Sequence, residues 1–361
     1  MLNSKRIFIY GPLAALILLG LAYSIYWFVI VSKITAELAR LDGNEIIPGI
    51  NFQFTERNVG GFPFRFEVFL SGVTIAAQGD KGTIAWQSER IALHAMSYGR
   101  RAYILEVDGL QTFTWPAEGD APQNIVQVNT GITRASALIE DGHLARFDID
   151  VLNAEGRDVS QNAAMMREFR FARAQIHLLV QEDDTIGILA ELDAGEIGSG
   201  YQPALGTNLS RLRIEGRVSE ANALEELRRG GAEIRAALEA WKNARGTIIL
   251  DPVEAAWGGT LLMGRSELAL DEEYRVSGLL TASPEDPVSF LGALSQSEMI
   301  SADARTQLTG FHKMAAGFTG NLDLPIRLEA RLPLGAEPMI PTLHLEGTNG
   351  ITVMFGSAAE P

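Results

Sequence analysis

The sequence predicts a mainly β protein of the α+β class: one N-terminal transmembrane helix, then curved antiparallel β-sheet with two or three packed helices. Three observations predict it. Residues Ile7 to Val31 include no charged side chain. From Phe64 onward, short segments alternate apolar and polar residues and are separated by Gly, Asp and Asn. Two later regions place their apolar residues at helical spacing instead.

The helix comes first. Twenty-five uncharged residues at ~1.5 Å each span about 37 Å, more than the ~30 Å hydrocarbon core of a bilayer. Tyr10, Tyr23, Tyr26 and Trp27 fall toward its ends, where aromatic rings favour the interface. A cleaved signal peptide would have an apolar core of about 7–15 residues and a small-x-small cleavage site. The exit "VIVSKITAELARL" offers no such site, so an uncleaved anchor is expected. Lys5, Arg6 and the terminal amine outweigh Lys33, which predicts a cytoplasmic N-terminus and a single pass through the membrane across residues 7–31. Ile34, Leu38 and Leu41 continue an apolar stripe and Gly43 is the expected stop. Residues 1–42 therefore read as anchor and juxtamembrane helix.

The β-rich body follows over residues 43–218. It opens with "NVGGFPFRFEVFLSG", residues 58–72. Gly60 and Gly61 allow a tight turn, and Pro63 suits the first residue or the edge of a strand because it lacks a ladder donor. Phe64, Phe66, Val68 and Leu70 then alternate with Arg65, Glu67, Phe69 and Ser71, the pattern of a strand with one buried face. These residues, with Leu93 in "RIALHAM", form the candidate apolar face, either core or groove. Further strand patterns run from "GTIAWQS" to "LSRLRIEGRVS". Turns are expected at "AQGDKG", "EVDG", "IEDG" and "NAEG". Consecutive strands with short turns are usually antiparallel neighbours.

Residues 219–361 read as two helix-plus-meander units continuing the same body. Ser219 is the expected N-cap of a helix with Leu224, Leu227, Ile234, Leu238 and Trp241 on one face, interrupted at Gly230-Gly231 and stopped by Gly246. Asp286 before Pro287 starts the second helical region, with Leu308, Phe311, Ala315 and Phe318 at helical spacing. Strands follow each region.

Composition narrows the functional classes. With 47% hydrophobic and 21% charged residues, the chain is too apolar to be disordered. It has no cysteine, which removes disulfides, thiolate metal sites and cysteine nucleophiles. The formal net charge is −15, and without Lys5 and Arg6 the remainder carries −17. No dense Lys/Arg cluster offsets it, so nucleic acid is not an expected partner. The five histidines, His94, His143, His177, His312 and His344, include no pair within four residues, so no His-x-x-x-His metal motif exists. Walker, Ser-x-x-Lys and Gly-x-Ser-x-Gly patterns are absent. "QEDDTIG" and "LDEEYR" lack the ligand spacing of a calcium loop and read as solvated turns. Trp86, Trp115, Trp241 and Trp257 read as core anchors rather than a ligand groove. Catalytic, cofactor and metal residues are expected to be none, and no cofactor is called for.

The anchor, "GGFPFR" at 60–65, "AAWGG" at 255–259, and "LPIRLEARLPL" followed by "IPTLHLEG" together resemble the uncharacterised bacterial family called domain of unknown function 2125. The resemblance implies an inner-membrane anchor with a periplasmic body, and carries no catalytic residues. The chain is also distantly similar to AsmA-like envelope proteins, in which curved sheets form apolar grooves held to shield lipid chains. The expected function is thus a non-enzymatic envelope protein that binds or shields lipid, or another apolar ligand, in a β-sheet groove. The rival expectations are a ligand-free scaffold for envelope protein partners, and a hydrolase whose residues are scattered along the chain.

Overall fold

The computed structural model describes residues 4–47, 49–79, 82–98, 101–117, 123–160, 167–198, 200, 205–230, 234–272, 274–296, 302–315, 324–331, 342–345 and 351–354. Helix α1, Ser4–Leu41, has 38 residues, about 57 Å at ~1.5 Å per residue. Its Tyr10–Leu41 stretch is long and apolar enough to cross a membrane. Leu16, Ile17, Leu18 and Leu19 are all more than half exposed, an arrangement that water opposes and a bilayer accepts.

The body is mostly antiparallel sheet. Strands β1, Asn44–Ile47, and β2, Ile50–Gln53, form a small hairpin. β2 and β3, Glu56–Gly60, both lie along the same edge of β4, Arg65–Gly79. The chain steps between them at Thr55, whose N–H and hydroxyl both donate to the Ser71 carbonyl at 2.9 Å. Opposite this step Gly72 has φ +58, and a Cβ there would lie 2.6 Å from the Thr55 hydroxyl.

From β4 onward each strand pairs antiparallel with the next. The meander runs through β5, Gly82–Met96, β6, Arg101–Trp115, and β7, Asn124–Glu140. It continues through β8, His143–Asp158, β9, Arg167–Val180, β10, Ile186–Ile197, and β11, Asn208–Val218. After a helical insertion come β12, Ile248–Trp257, β13, Thr260–Leu270, and β14, Arg275–Pro284. A second insertion precedes β15, Leu324–Arg331, β16, Thr342–Leu345, and β17, Ile351–Met354. The sheet has 17 strands. Among the described residues β1, β3 and β17 each have a partner on one side only. The sheet is open.

Two expected turns are features inside strands. "EVDG" lies within β6, where Gly109 takes φ +85. The register shifts there against β5 and against β7. It is a β-bulge, which a glycine at positive φ makes possible without ending the strand. "NAEG" lies within β8, which accommodates Asn153 at φ +52 without losing register. "IEDG" is a tight hairpin, with Asp141 and Gly142 both at positive φ, as a type I′ turn requires.

The first insertion is a short 3-10 turn at 221–224, then α2, Glu225–Arg228, and α3, Ile234–Asn243. Ser219 does not cap it. Its N–H bonds the Thr247 carbonyl at 2.9 Å and its hydroxyl accepts the Thr247 N–H at 2.9 Å, which ties β11 to the start of β12. The helical segment begins after Glu220 instead, and Gly230, at φ +76, follows α2. Trp241 is buried and donates to the Ser219 carbonyl at 2.7 Å, with Gly246 beneath its ring. Ile234, placed with Trp241 by periodicity, is 47% exposed because α3 starts there. The second insertion is α4, Pro287–Gln296, and α5, Ala302–Ala315. Asp286 caps α4, accepting the N–H groups of Val288 and Ser289 at 3.1 and 3.0 Å. Leu308 is fully buried; Phe318 lies outside the described residues.

Candidate functional site: a two-faced sheet beside the N-terminal helix

The site begins where α1 meets the sheet. Trp27 is 4% exposed; it stacks on Phe66 at 5.8 Å and meets Phe62 edge-on at 5.2 Å. Its indole N–H donates to the Arg65 carbonyl at 3.2 Å. One turn earlier the Tyr23 hydroxyl donates to the Pro63 carbonyl and lies 2.7 Å from the Ser97 hydroxyl. Gly61 has φ +97, and a Cβ on it would sit 2.7 Å from the Arg65 carbonyl oxygen. Gly60 ends β3 and Pro63 follows a cis peptide bond. "GGFPFR" is therefore a socket for the helix as well as the opening of the sheet. Periodicity could not show this, because Tyr23 and Trp27 read equally well as interface aromatics.

Phe66, Val68 and Leu70 are buried. Val68 and Leu70 belong to a cluster with Phe52, Phe54, Val73, Ile91 and Val107, and Ile34, Leu38 and Leu41 of α1 pack against it. Phe64 is not part of that face. The Arg65 N–H bonds the Gly61 carbonyl at 3.1 Å, so residues 62–64 form a turn, β4 starts at Arg65, and Phe64 is 65% exposed. Leu93 pairs with Val68 yet is 38% exposed, lying at the margin of the α1 contact.

Register then carries this apolar face across the sheet. Val68 lies beside Leu93, and the row continues through Leu105, Ala135, Ile149, Ile176 and Ala190. It goes on through Ile214, Val253, Gly264, Ala282 and Leu324. The row crosses β4 to β15 without a polar side chain. Eleven spacings of ~4.8 Å make it roughly 53 Å long. The adjacent row points to the other face: Glu106, Arg134, Asp150, Gln175, Glu191, Arg213 and Glu254. Its members are cross-linked by Arg134–Glu106 at 2.7 Å and Arg213–Glu191 at 2.8 Å, with Arg173 on Asp150 at 2.8 Å. Ser266, Leu268 and Ala282 are buried toward one end of the apolar face, as Val68 is toward the other. Between them, over β7 to β11, Ala154 is the one buried hydrophobic among the described residues, and Ile176 is 42% exposed.

The polar face also holds the closest approach to a catalytic grouping. His177 Nδ1 lies 2.7 Å from Asp148, Arg146 lies 2.8 Å from it, and the Ser136 hydroxyl donates to it at 3.0 Å. Burial pushes the Asp148 carboxyl up, but these hydrogen bonds outweigh it and hold the group below the usual aspartate range. The serine bonds the carboxylate rather than the imidazole, which is the geometry of an ion-pair ladder and not of a nucleophile with its base. His94 sits between Glu67 and Glu106, His143 faces Glu225, and His312 contacts the Val288 carbonyl. His344 is in β16, between Arg327 and Thr352 in register. Among the described residues no group of three potential ligands could hold a metal ion.

Two clefts stand out. The larger, about 830 Å³, is lined by Glu89, Glu155, Glu168 and Glu196 with Arg157 and Arg170. It is polar and lies away from α1. The smaller, about 470 Å³, lies between α1 and β4–β6, with Tyr26, Ile34, Phe66, Val68, Leu93 and Tyr103 among its walls. It borders the exposed part of the apolar face.

These features define a class: an open antiparallel sheet with one apolar and one ion-paired face, carried on a helix long and apolar enough to cross a bilayer. The chain belongs to the family described as an uncharacterized protein conserved in bacteria, domain of unknown function 2125, with the match covering residues 27–336. The match begins at Trp27, where the helix enters its socket. No curated protein and no solved structure matches the chain.

Proposed function

We propose that this protein is a single-pass inner-membrane protein with a cytoplasmic N-terminus. Its periplasmic body holds a lipid or other apolar ligand against the apolar face of the sheet, without enzymatic activity. The observation that carries the proposal is the unbroken apolar row from Val68 to Leu324, whose middle members are partly exposed, Ile176 at 42%. Contiguous apolar surface of that extent is unfavourable in water and marks a surface that something covers. The AsmA-like resemblance implies the same use of a sheet.

The test is mass spectrometry of lipid retained by the full chain purified from membranes. Bound lipid is expected in the parent and lost from Ile176→Asp, which remains folded because that side chain is already 42% exposed. A lipid-free parent would overturn the reading and favour a scaffold for envelope partners. So would equal lipid in the parent and a folded Ile176→Asp.

A further inference from the structure

Counting ~1.5 Å per residue from Ile7, a ~30 Å hydrocarbon core ends close to Trp27. Trp27 and Tyr23 hold the 60–65 turn at that same level of the helix. The body therefore meets the bilayer at a fixed depth, with this end of the sheet in the outer interface. Its side chains there suit that place. Phe28, Phe62, Phe64, Met96 and Tyr98 are all about half exposed or more, and Phe28 stacks on Phe62 at 5.8 Å. Such a collar is unfavourable in water and favourable among headgroups and the first methylenes.

The 470 Å³ cleft lies directly behind this collar. Tyr26 forms part of its helix wall, and Met96 and Tyr98 line it from the sheet. That volume is within the ~300–1,000 Å³ typical of small-molecule sites. Its inner wall, Val68 and Leu93, is the first pair of the apolar row. Arg101 lines the cleft beside Tyr98. It is exposed and, among the described residues, has no ion-pair partner, whereas Arg134, Arg146, Arg173 and Arg213 are all paired. A guanidinium at the interface matches a phosphate in geometry and charge.

We propose that the cleft between α1 and β4–β6 is a lateral port. One acyl chain of a glycerophospholipid in the outer leaflet enters it and reaches the apolar face, while Arg101 holds the phosphate. This rests on the lipid-binding reading above and adds the ligand class, the route and the residue that selects it.

The experiment reconstitutes the full chain in phosphatidylcholine vesicles containing phosphatidylglycerol with a diazirine at the end of one acyl chain. Photolysis is followed by peptide mapping. Label on α1 is the internal control; label on β8 and β9, around Ile149 and Ile176, is expected because the chain has left the bilayer. Arg101→Glu, on an exposed site, should cut label on β8 and β9 by about five-fold or more. It should leave unchanged the label from a phosphate-free diazirine diacylglycerol. Ala95→Trp, which fills the cleft, should remove both. Label on β8 and β9 that survives both variants would overturn the port while leaving lipid binding intact. Label confined to α1 in the parent would overturn both.

Discussion

Phe64 and Phe66 are two residues apart and sit in opposite surroundings, which makes them a direct test of the socket. Phe66 is buried against Trp27, so Phe66→Ala should lower stability by about 3–5 kcal/mol in chemical denaturation. Phe64 is 65% exposed, and Phe64→Ala should change it by no more than about 0.5 kcal/mol. The same contrast holds one step along β4. Val68 is 6% exposed inside the cluster under α1, so Val68→Asp buries a carboxylate without a partner and should unfold the body. Its neighbour Leu93 is 38% exposed, and Leu93→Asp should leave the thermal transition in place. Equal melting behaviour of the two aspartate variants would show that α1 does not cover Val68. Alternation in the sequence identified Phe66, Val68 and Leu70 because their strand is regular. It placed Phe64 with them because a turn closed between Gly61 and Arg65 leaves no trace in a period of two.

At the scale of elements, two local devices shape the sheet. The first is the Gly61 turn, which brings Pro63 and Arg65 to Tyr23 and Trp27. Gly61→Ala places a Cβ 2.7 Å from a backbone carbonyl at a positive φ, and should cost about 1–3 kcal/mol. A thermal transition of the full chain no lower than the parent's would show that the turn does not hold the helix. The second is the ion-pair ladder on the outer face. The Arg173 guanidinium beside Asp150 holds that carboxyl below its ordinary range, as the hydrogen bonds to Asp148 do there. Both folded-state values lie below the unfolded ones, so the stabilisation is complete above the ordinary aspartate range of about pH 4. It is lost as pH falls through the depressed values. Asp148→Asn should therefore flatten the stability–pH curve below about pH 4, measured by urea denaturation at each pH; an unchanged slope would rule out this contribution. Exposed pairs such as Arg90–Asp108 should matter far less. Element identity was legible for most strands, for the break at Gly230 and for the helix start at Asp286-Pro287. The bulge at Gly109 stands where the sequence predicts a turn because glycine after aspartate signals both, and only pairing on either side distinguishes them.

Across the whole molecule, the sequence showed that each strand has an apolar side but not that those sides join into one row. Ile149 faces Ile176 rather than Gln175 only because hairpin lengths and bulges set the register, and a slip of one residue would have put the charged row on the same face. The proposed anchor and its direction are different matters, since both depend on the composition of residues 5–33 rather than on register. The uncharged run has Lys5 and Arg6 on one side and Lys33 on the other. Basic residues are retained on the cytoplasmic side, and acidic side chains contribute little to orientation, so the proposed topology rests on those three cations. The lipid port needs that orientation too, because Trp27 must lie at the outer interface for the collar to meet the outer leaflet. A reporter that folds only in an oxidising compartment, fused after Pro361, should therefore be active. Replacing Lys5 and Arg6 with alanine and adding two lysines after Val31 should reduce that activity several-fold, with protein amount checked by immunoblot. An inactive reporter on the unaltered chain would place the body in the cytoplasm. It would remove the outer leaflet as a lipid source while leaving the helix socket and the two-faced sheet as described.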